Sequence, residues 1–348
     1  MAQVSSTGIS AREVYFLISI SFLRSFFFLL YHIGSSPNGL HFLQWYDIVG
    51  CGDYDMNKKK IQSMFMLLIA TVIWGSAFVA QSVGNVIGPF SFQAIRCYLA
   101  VIVLIPVVFL FDKSQGRSFL KEWTNKKLWK TGLLCGLTLF VACSTQQVGL
   151  VYTDAGKAGF ITAMYIVLVP VCGLALGKKP PLSAILAIGV AVVGLYLLSC
   201  AGVSAINIGD ILMICCALAF AVQITLVDTM AGDLDGIRLN IIQAFVCGTI
   251  SLPFMIAEAP PLPAILDNWQ SLCFAGVLSM GIAYTLQILA QKNLEPTPAS
   301  LIMSLESVFG GLAAWLILHE IMTPSELTGS VLVFAAVIIS QIPAKSKK

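Results

Sequence analysis

Residues 299–318, ASLIMSLESVFGGLAAWLIL, decide the fold. The run is apolar apart from Glu306 and a few hydroxyl side chains, and about 20 helical residues cross a hydrocarbon layer roughly 30 Å thick. Subtracting 141 lays it on residues 158–177, AGFITAMYIVLVPVCGLALG, a second apolar run in which Tyr165 stands opposite Glu306. The same shift pairs Gln287 with Gln146 and Ser340 with Ser199. A shift of 147 pairs Gln243 with Arg96 and Pro253 with Pro106, and one of 146 pairs Phe220-Ala221 with Trp74-Gly75. The chain reads as two copies of one unit.

Working outward, ten predicted spans cover 64–84, 90–111, 128–148, 157–176, 182–201, 209–227, 238–257, 270–291, 297–318 and 327–343. Five fall in each copy, over 64–201 and 209–343. An odd number of spans per copy sets the second against the first in orientation. The predicted fold class is therefore an all-α membrane protein with ten transmembrane helices arranged as two inverted five-helix repeats. Composition agrees: of 348 residues 58% are hydrophobic and 11% charged, less than half the roughly one-quarter that solvates a soluble domain. The longest connections, 112–127 and 258–269, are too small to be domains, so function is expected inside the membrane.

The basic residues orient the chain. With the Met56 end cytoplasmic, the inner segments hold Lys58, Lys59, Lys60, Lys113, Arg117, Lys121, Lys126, Lys127, Lys130, Lys178, Lys179, Arg238, Lys292, Lys345, Lys347 and Lys348, and the outer segments hold Lys157 alone. By the positive-inside rule both ends of the ten-span unit, including the C-terminus, face the cytoplasm of a multi-pass protein of the cell membrane. The net charge of +3 is too small to imply a nucleic-acid partner. The cysteines from Cys97 to Cys273 lie in or beside apolar runs without a C-x-x-C pair, and read as small packing residues.

Residues 1–55 fit this pattern poorly. Val14 to Ile33 is apolar but interrupted by Arg24, and the stretch to Asp55 lacks helical periodicity. One reading is an extra helix or a signal-like segment without a small-residue cleavage site. The other is a natural start at Met56-Asn-Lys-Lys-Lys, a short basic tail before the first span.

Three motifs carry a family resemblance: ATVIWGSAF at 70–78, FSFQAIR at 90–96, and the 299–316 run with Glu306 followed by His319-Glu320. In register across both halves, from Met56 to Gln341, the chain resembles the EamA family of the drug/metabolite transporter superfamily. His319 stands where that family commonly has Gly. The resemblance implies a ten-helix secondary transporter or exporter of metabolites, and leaves the substrate open.

The candidate substrate-binding or coupling residues are Glu306, Arg96, Tyr165, Gln146, Gln287, Tyr284 and Trp74. Glu306 lies near the midplane of its span, where a carboxyl either holds and releases a proton or hydrogen-bonds a neighbouring helix. Arg96 reads either as an anion anchor or gate contact, or as an interhelical pin. Gln146, Gln147, Gln223, Gln243, Tyr284 and Gln287 must be satisfied within the bundle, by a polar cavity or by helix-to-helix hydrogen bonds. Trp74 and Tyr165 can stack on a substrate or pack. Lys157 is expected to pair beside Asp154 at the outer mouth. The glycines at 132 and 136 have G-x-x-x-G spacing, which serves close packing within the bundle or a homodimer. Pro106, Pro170 and Pro253 sit inside spans as candidate bends.

No catalytic, metal or cofactor motif is present: there is no G-x-x-x-x-G-K-[ST], no H-E-x-x-H and no pair of intramembrane aspartates. The sequence points to alternating-access transport of a small metabolite or amphiphile, with membrane lipid as surroundings and a gradient, most simply protons, as driving force. A lipid scramblase or structural membrane protein is the alternative, and an intramembrane enzyme a more distant one.

Overall fold

The computed structural model describes residues 54–153, 155–178, 180–199, 207–318 and 323–341. Their principal elements are helices: α1 Tyr54–Gly84, α2 Pro89–Ser114, α3 Lys126–Gly149, α4 Ala155–Ala163, α5 Tyr165–Ala175, α6 Leu182–Ser199, α7 Ile208–Met230, α8 Gly236–Glu258, α9 Trp269–Gln291, α10 Pro296–Met303, α11 Leu305–Leu318 and α12 Pro324–Ser340. Short helical turns stand at Asn85–Ile87, Phe119–Glu122 and Leu262–Asp267. Among the described residues seven segments are long and apolar enough to cross a membrane: α1, α2, α3, Lys157–Ala175, α7, α8 and α9. The spans predicted at 182–201, 297–318 and 327–343 correspond to shorter helices: α6, α10 with α11, and α12. Most of the expected N-terminal extension, and His319-Glu320, lie outside the described residues.

Polarity is distributed as a lipid solvent demands. Large apolar side chains such as Phe109, Leu110, Leu186, Ile214 and Ile338 are exposed, whereas Gln93, Arg96, Gln223, Arg238, Asn240, Gln243 and Glu306 are buried. In hydrocarbon, polar groups must find partners within the protein, so the bundle turns them inward.

Helix ends are satisfied by side chains. α7 starts with a capping box of Asn207 and Asp210, and α12 with one of Thr323 and Glu326. α2 has only Gly88 before its first turn, and its cap comes from the far end of α8: Phe90 and Ser91 donate their backbone N–H groups to Glu258 at 3.1 and 2.7 Å. Gly88 is at φ +98°, and a Cβ there would fall 2.3 Å from the Glu258 carboxylate. At the opposite ends of the same helices Arg238, fully buried, pairs with Asp112 and also with Asp235 at 2.7 Å. α2 and α8 are thus fastened at both ends. By contrast Lys127 and Asp233, 2.5 Å apart, are exposed. The lysine hydrogen bond holds the Asp233 carboxyl below the usual range, but so exposed a pair adds little stability.

The dominant packing joins α2 to α8, α6 to α12, α3 to α7, and α1 to α9 and α11, with α5 also against α7 and α3 against α8. Gly132 and Gly136 seat α3 against Ile242 and Val246 of α8, so this glycine face is used within the chain. The tightest seam is α6 on α12, where a Cβ added to Gly329 would lie 2.5 Å from the Gly194 carbonyl oxygen and the Leu198 nitrogen. Gly329→Val must force the two helices apart. It is expected to cost about 1–3 kcal/mol and to lower the melting temperature of the detergent-solubilised protein, read from a thermal unfolding curve.

Candidate functional site

Two helix interruptions build the site. The segment containing α4 and α5 breaks at Met164, and the one containing α10 and α11 breaks at Ser304. At each break the chain tightens: Met164 N–H donates to the Ile161 carbonyl at 3.1 Å and Ser307 N–H to the Ser304 carbonyl at 3.2 Å, both three residues back. Such 3₁₀ turns inside helices mark hinges or functional positions. Tyr165 follows the first break and Glu306 lies just past the second. Their side chains meet, with the Tyr165 hydroxyl donating to Glu306 Oε1 at 3.2 Å.

α1 approaches α11 most closely at this level. A Cβ on Gly75 would fall 2.7 Å from the Glu306 carbonyl oxygen and 2.6 Å from the Gly310 nitrogen, so glycine sets the spacing. Neighbouring Trp74 packs edge-on against Tyr284, ring centroids 5.1 Å apart. Tyr284 comes from α9, most of which is buried. Residues Phe274–Ala283 of α9 form a π-helix. Widening a helix displaces its carbonyls, and Asn240 of α8 receives two of them, donating to Met280 O at 3.0 Å and Gly281 O at 2.9 Å. Ser279 of the π segment, and Tyr284 and Gln287 that follow it on α9, line the cavity.

Arg96 projects from α2, 2% exposed. Its Nη1 donates to Gln81 Oε1 at 2.7 Å and its Nε to Gln93 Oε1 at 2.8 Å, with Nη2 also on Gln93. The guanidinium lies 5.7 Å over the Phe92 ring. Gln287 donates to Gln223 at 3.2 Å and Gln291 at 3.0 Å, while Gln223 donates to Gln243 and Gln243 to Asn240, an amide network joining α7, α8 and α9. Trp74 Nε1 and Gln287 Oε1 are buried without a hydrogen-bond partner among the described residues.

All seven candidate residues, Trp74, Arg96, Gln146, Tyr165, Tyr284, Gln287 and Glu306, line one central cavity, with Phe78, Gln81, Phe220, Ile224, Ser279 and Met303. Its volume is about 40 Å³, space for the centres of roughly three waters. The cavity is contracted. A second, larger cavity of about 270 Å³ is walled by Val169, Gly173, Lys178, Asp228, Glu295 and Thr297, among others. It uses α5, α7 and the start of α10, three of the helices around the central cavity. Val169 and Asp228 lie four residues beyond Tyr165 and Ile224, a displacement of about 6 Å along each helix. Lys178 and Asp228 form an ion pair across it.

Lys157 pairs with Asp210 at 2.6 Å; Asp154, its expected neighbour, lies outside the described residues. Gln147 donates to the Gln81 carbonyl and to Asn85, both at 3.2 Å, and belongs to the α1–α3 contact. Pro106, Pro170 and Pro253 fall inside α2, α5 and α8. Sequence reasoning passed over Gln81, Gln93 and Asn240. Gln93 had a signal, standing one helical turn before Arg96 where side chains three apart meet.

These features define a multi-pass membrane protein with a polar, aromatic-walled centre. The EamA-like transporter family model matches residues 61–200 and again 207–341, and the chain belongs to that family. It is 32% identical over 81% of its length, and 86% of the other's, to an uncharacterized transporter of Archaeoglobus fulgidus. It is 24% identical over 83% of its length, and 99% of the other's, to the uncharacterized transporter YoaV of Bacillus subtilis. A solved crystal structure shares the fold at a TM-score of 0.68 and 14% identity, over 81% of this chain and 97% of that one. The protein is a membrane transporter.

Proposed function

We propose that the protein is a secondary transporter that moves a small metabolite by alternating access around the central cavity, through ten spans in two inverted halves with both ends cytoplasmic. The observation that carries this reading is the Tyr165–Glu306 hydrogen bond: the two residues are equivalent in the two copies and meet beside equivalent helix breaks. Contact at equivalent positions is what a pseudo-two-fold axis through the cavity produces. Packing supports it as well. α1 rests on α9 and α11, its counterpart α7 rests on α3 and α5, and the counterparts α2 with α8 and α6 with α12 pair directly.

The larger cavity is then the approach to the central cavity from the inner side, one side-chain layer away. Arg96 supplies the charged contact and Glu306 the titratable one, and an ion gradient supplies the energy. Reconstitution into proteoliposomes tests the function: a compound that raises the melting temperature of the purified protein should be taken up in a saturable manner and exchange with labelled compound inside. Thermal stabilisers that show no protein-dependent flux or exchange defeat the proposal.

The approach route has its own check. In a background without reactive cysteines, Thr297→Cys should react with a membrane-impermeant thiol reagent added from the inner side, and the modification should block flux. Labelling only from the outer side would reverse the proposed orientation.

A further inference from the structure

Among the described residues two arginines, Arg96 and Arg238, are buried, and they are treated differently. Arg238 is given two aspartates, Asp112 and Asp235. Arg96, inside the cavity wall, is held by the neutral carbonyl oxygens of Gln81 and Gln93, and no carboxylate among the described residues lies within ion-pair distance. Neutral acceptors orient a guanidinium without cancelling its charge, and an uncancelled charge in a low-dielectric interior attracts an opposite one strongly. The indole N–H of Trp74, which lines the same cavity, is buried and unpartnered. It is a further donor waiting for an acceptor. The rings of Trp74, Tyr165, Phe220 and Tyr284 enclose the remaining space.

Glu306 is provisioned the other way. An ionised carboxylate presents about four acceptor positions and, when buried, draws in several donors at short range. Glu306 has one, the Tyr165 hydroxyl, at 3.2 Å, well beyond the 2.5–2.7 Å of an O–H bond to a charged oxygen. So thinly supplied with donors, the carboxyl has room to carry a proton. The titratable groups facing it are Tyr165 on α5, Cys216 on α7 and Tyr284 on α9, with Cys143 of α3 beside Tyr284 and Arg96 of α2 across the cavity. The described stretches of α1 and α10 that line the cavity bring no charge. Lys157 of α4 is paired with Asp210, and Glu326 of α12 is engaged in its capping box.

We propose that the central cavity binds an organic monocarboxylate together with one proton, the anion on Arg96 and Trp74 and the proton on Glu306, so that the two are loaded as a pair. With Glu306 protonated the cavity carries one positive charge and the bound anion neutralises it. With Glu306 ionised, Arg96 is already balanced, and an anion would leave the closed site negative. Each ligand therefore raises the affinity for the other, reciprocally. The proton comes from water on the loading side and leaves to water on the other. Binding of the pair needs only the cavity; its carriage across the membrane rests on the transport reading above.

The test uses the full purified chain in detergent and benzoate as probe. Binding is followed by tryptophan fluorescence, and proton uptake by a pH dye in weak buffer. About one proton should be taken up per benzoate bound, and above the pH at which Glu306 ionises the apparent Kd should rise about tenfold per pH unit. Glu306→Gln should bind benzoate with no proton uptake and no pH dependence. Arg96→Gln should lose binding by at least about tenfold; if it does not fold, Trp74→Phe, which removes only the indole N–H and part of the ring, should weaken binding several-fold. The inference is overturned by absence of benzoate binding to the folded protein, by binding without proton uptake, or by phenylalanine binding in its place without proton uptake. That last result would assign Glu306 to an ammonium group. Benzoate binding with proton uptake but no benzoate flux in proteoliposomes would remove the transport reading and leave the site; flux of another compound without benzoate binding would do the reverse.

Discussion

Glu306→Gln is expected to abolish gradient-driven accumulation, by about a hundredfold or more, while leaving folding and counterflow exchange nearly intact. Gln keeps the shape of the side chain and still accepts from the Tyr165 hydroxyl, so the α5–α11 contact persists. What it loses is titration, and a carrier that cannot release a proton on the far side cannot draw on a proton gradient. Glu306→Ala should behave differently. It leaves the Tyr165 hydroxyl unpaired in a buried site, a cost of about 1–3 kcal/mol, and should lower the melting temperature as well as the flux. Full gradient-driven uptake by a well-folded Gln variant would exclude Glu306 as the coupling group.

Arg96→Gln should reduce net flux about a hundredfold or more under every gradient, because it removes the cavity's cation, which no carboxylate among the described residues contacts. Its second effect is local: the carbonyl oxygens of Gln81 and Gln93 lose their donor. Arg96→Lys separates the two. An ammonium keeps the charge but cannot serve both glutamines in the planar fork that guanidinium provides, so partial flux with raised KM is expected. Recovery of flux in Lys but not in Gln identifies the charge as the requirement. Equal flux in the wild type and Gln, measured as initial rates at saturating substrate, would reduce Arg96 to a packing pin.

Much of the site was legible because hydrocarbon makes polar residues conspicuous. In a segment such as 299–318 a lone Glu306 has nowhere to go but inward, and the offset of 141 named Tyr165 as its counterpart before any geometry was known. Arg96, Gln146, Tyr284 and Gln287 stand out on the same ground and Trp74 as an aromatic able to stack, and the structure places all five on one cavity. Other features had no local signal. The carbonyls of Met280 and Gly281 in the π-helix at 274–283 are taken up by Asn240, some 40 residues earlier. The breaks at Met164 and Ser304 fall at residues with ordinary helical preferences. The contact of Lys157 with Asp210, 53 residues on, has no local signal either, since it arises because folding brings the start of α7 beside α4. The trans cap from Glu258 is of the same kind: a carboxylate at the end of one helix serving donors 167 residues away.

The exchange of partners between α1 and α7 bears on how such a molecule is put together. α1 finds its main neighbours in α9 and α11, and α7 finds its own in α3 and α5. A polypeptide of half the length would leave bare the face of α1 or α7 that the other half covers. Cutting the chain between Ser199 and Asn207 and making the pieces side by side in one cell should therefore restore a working carrier, while either piece alone should be degraded. The covalent joint would then serve to keep the two halves in equal supply.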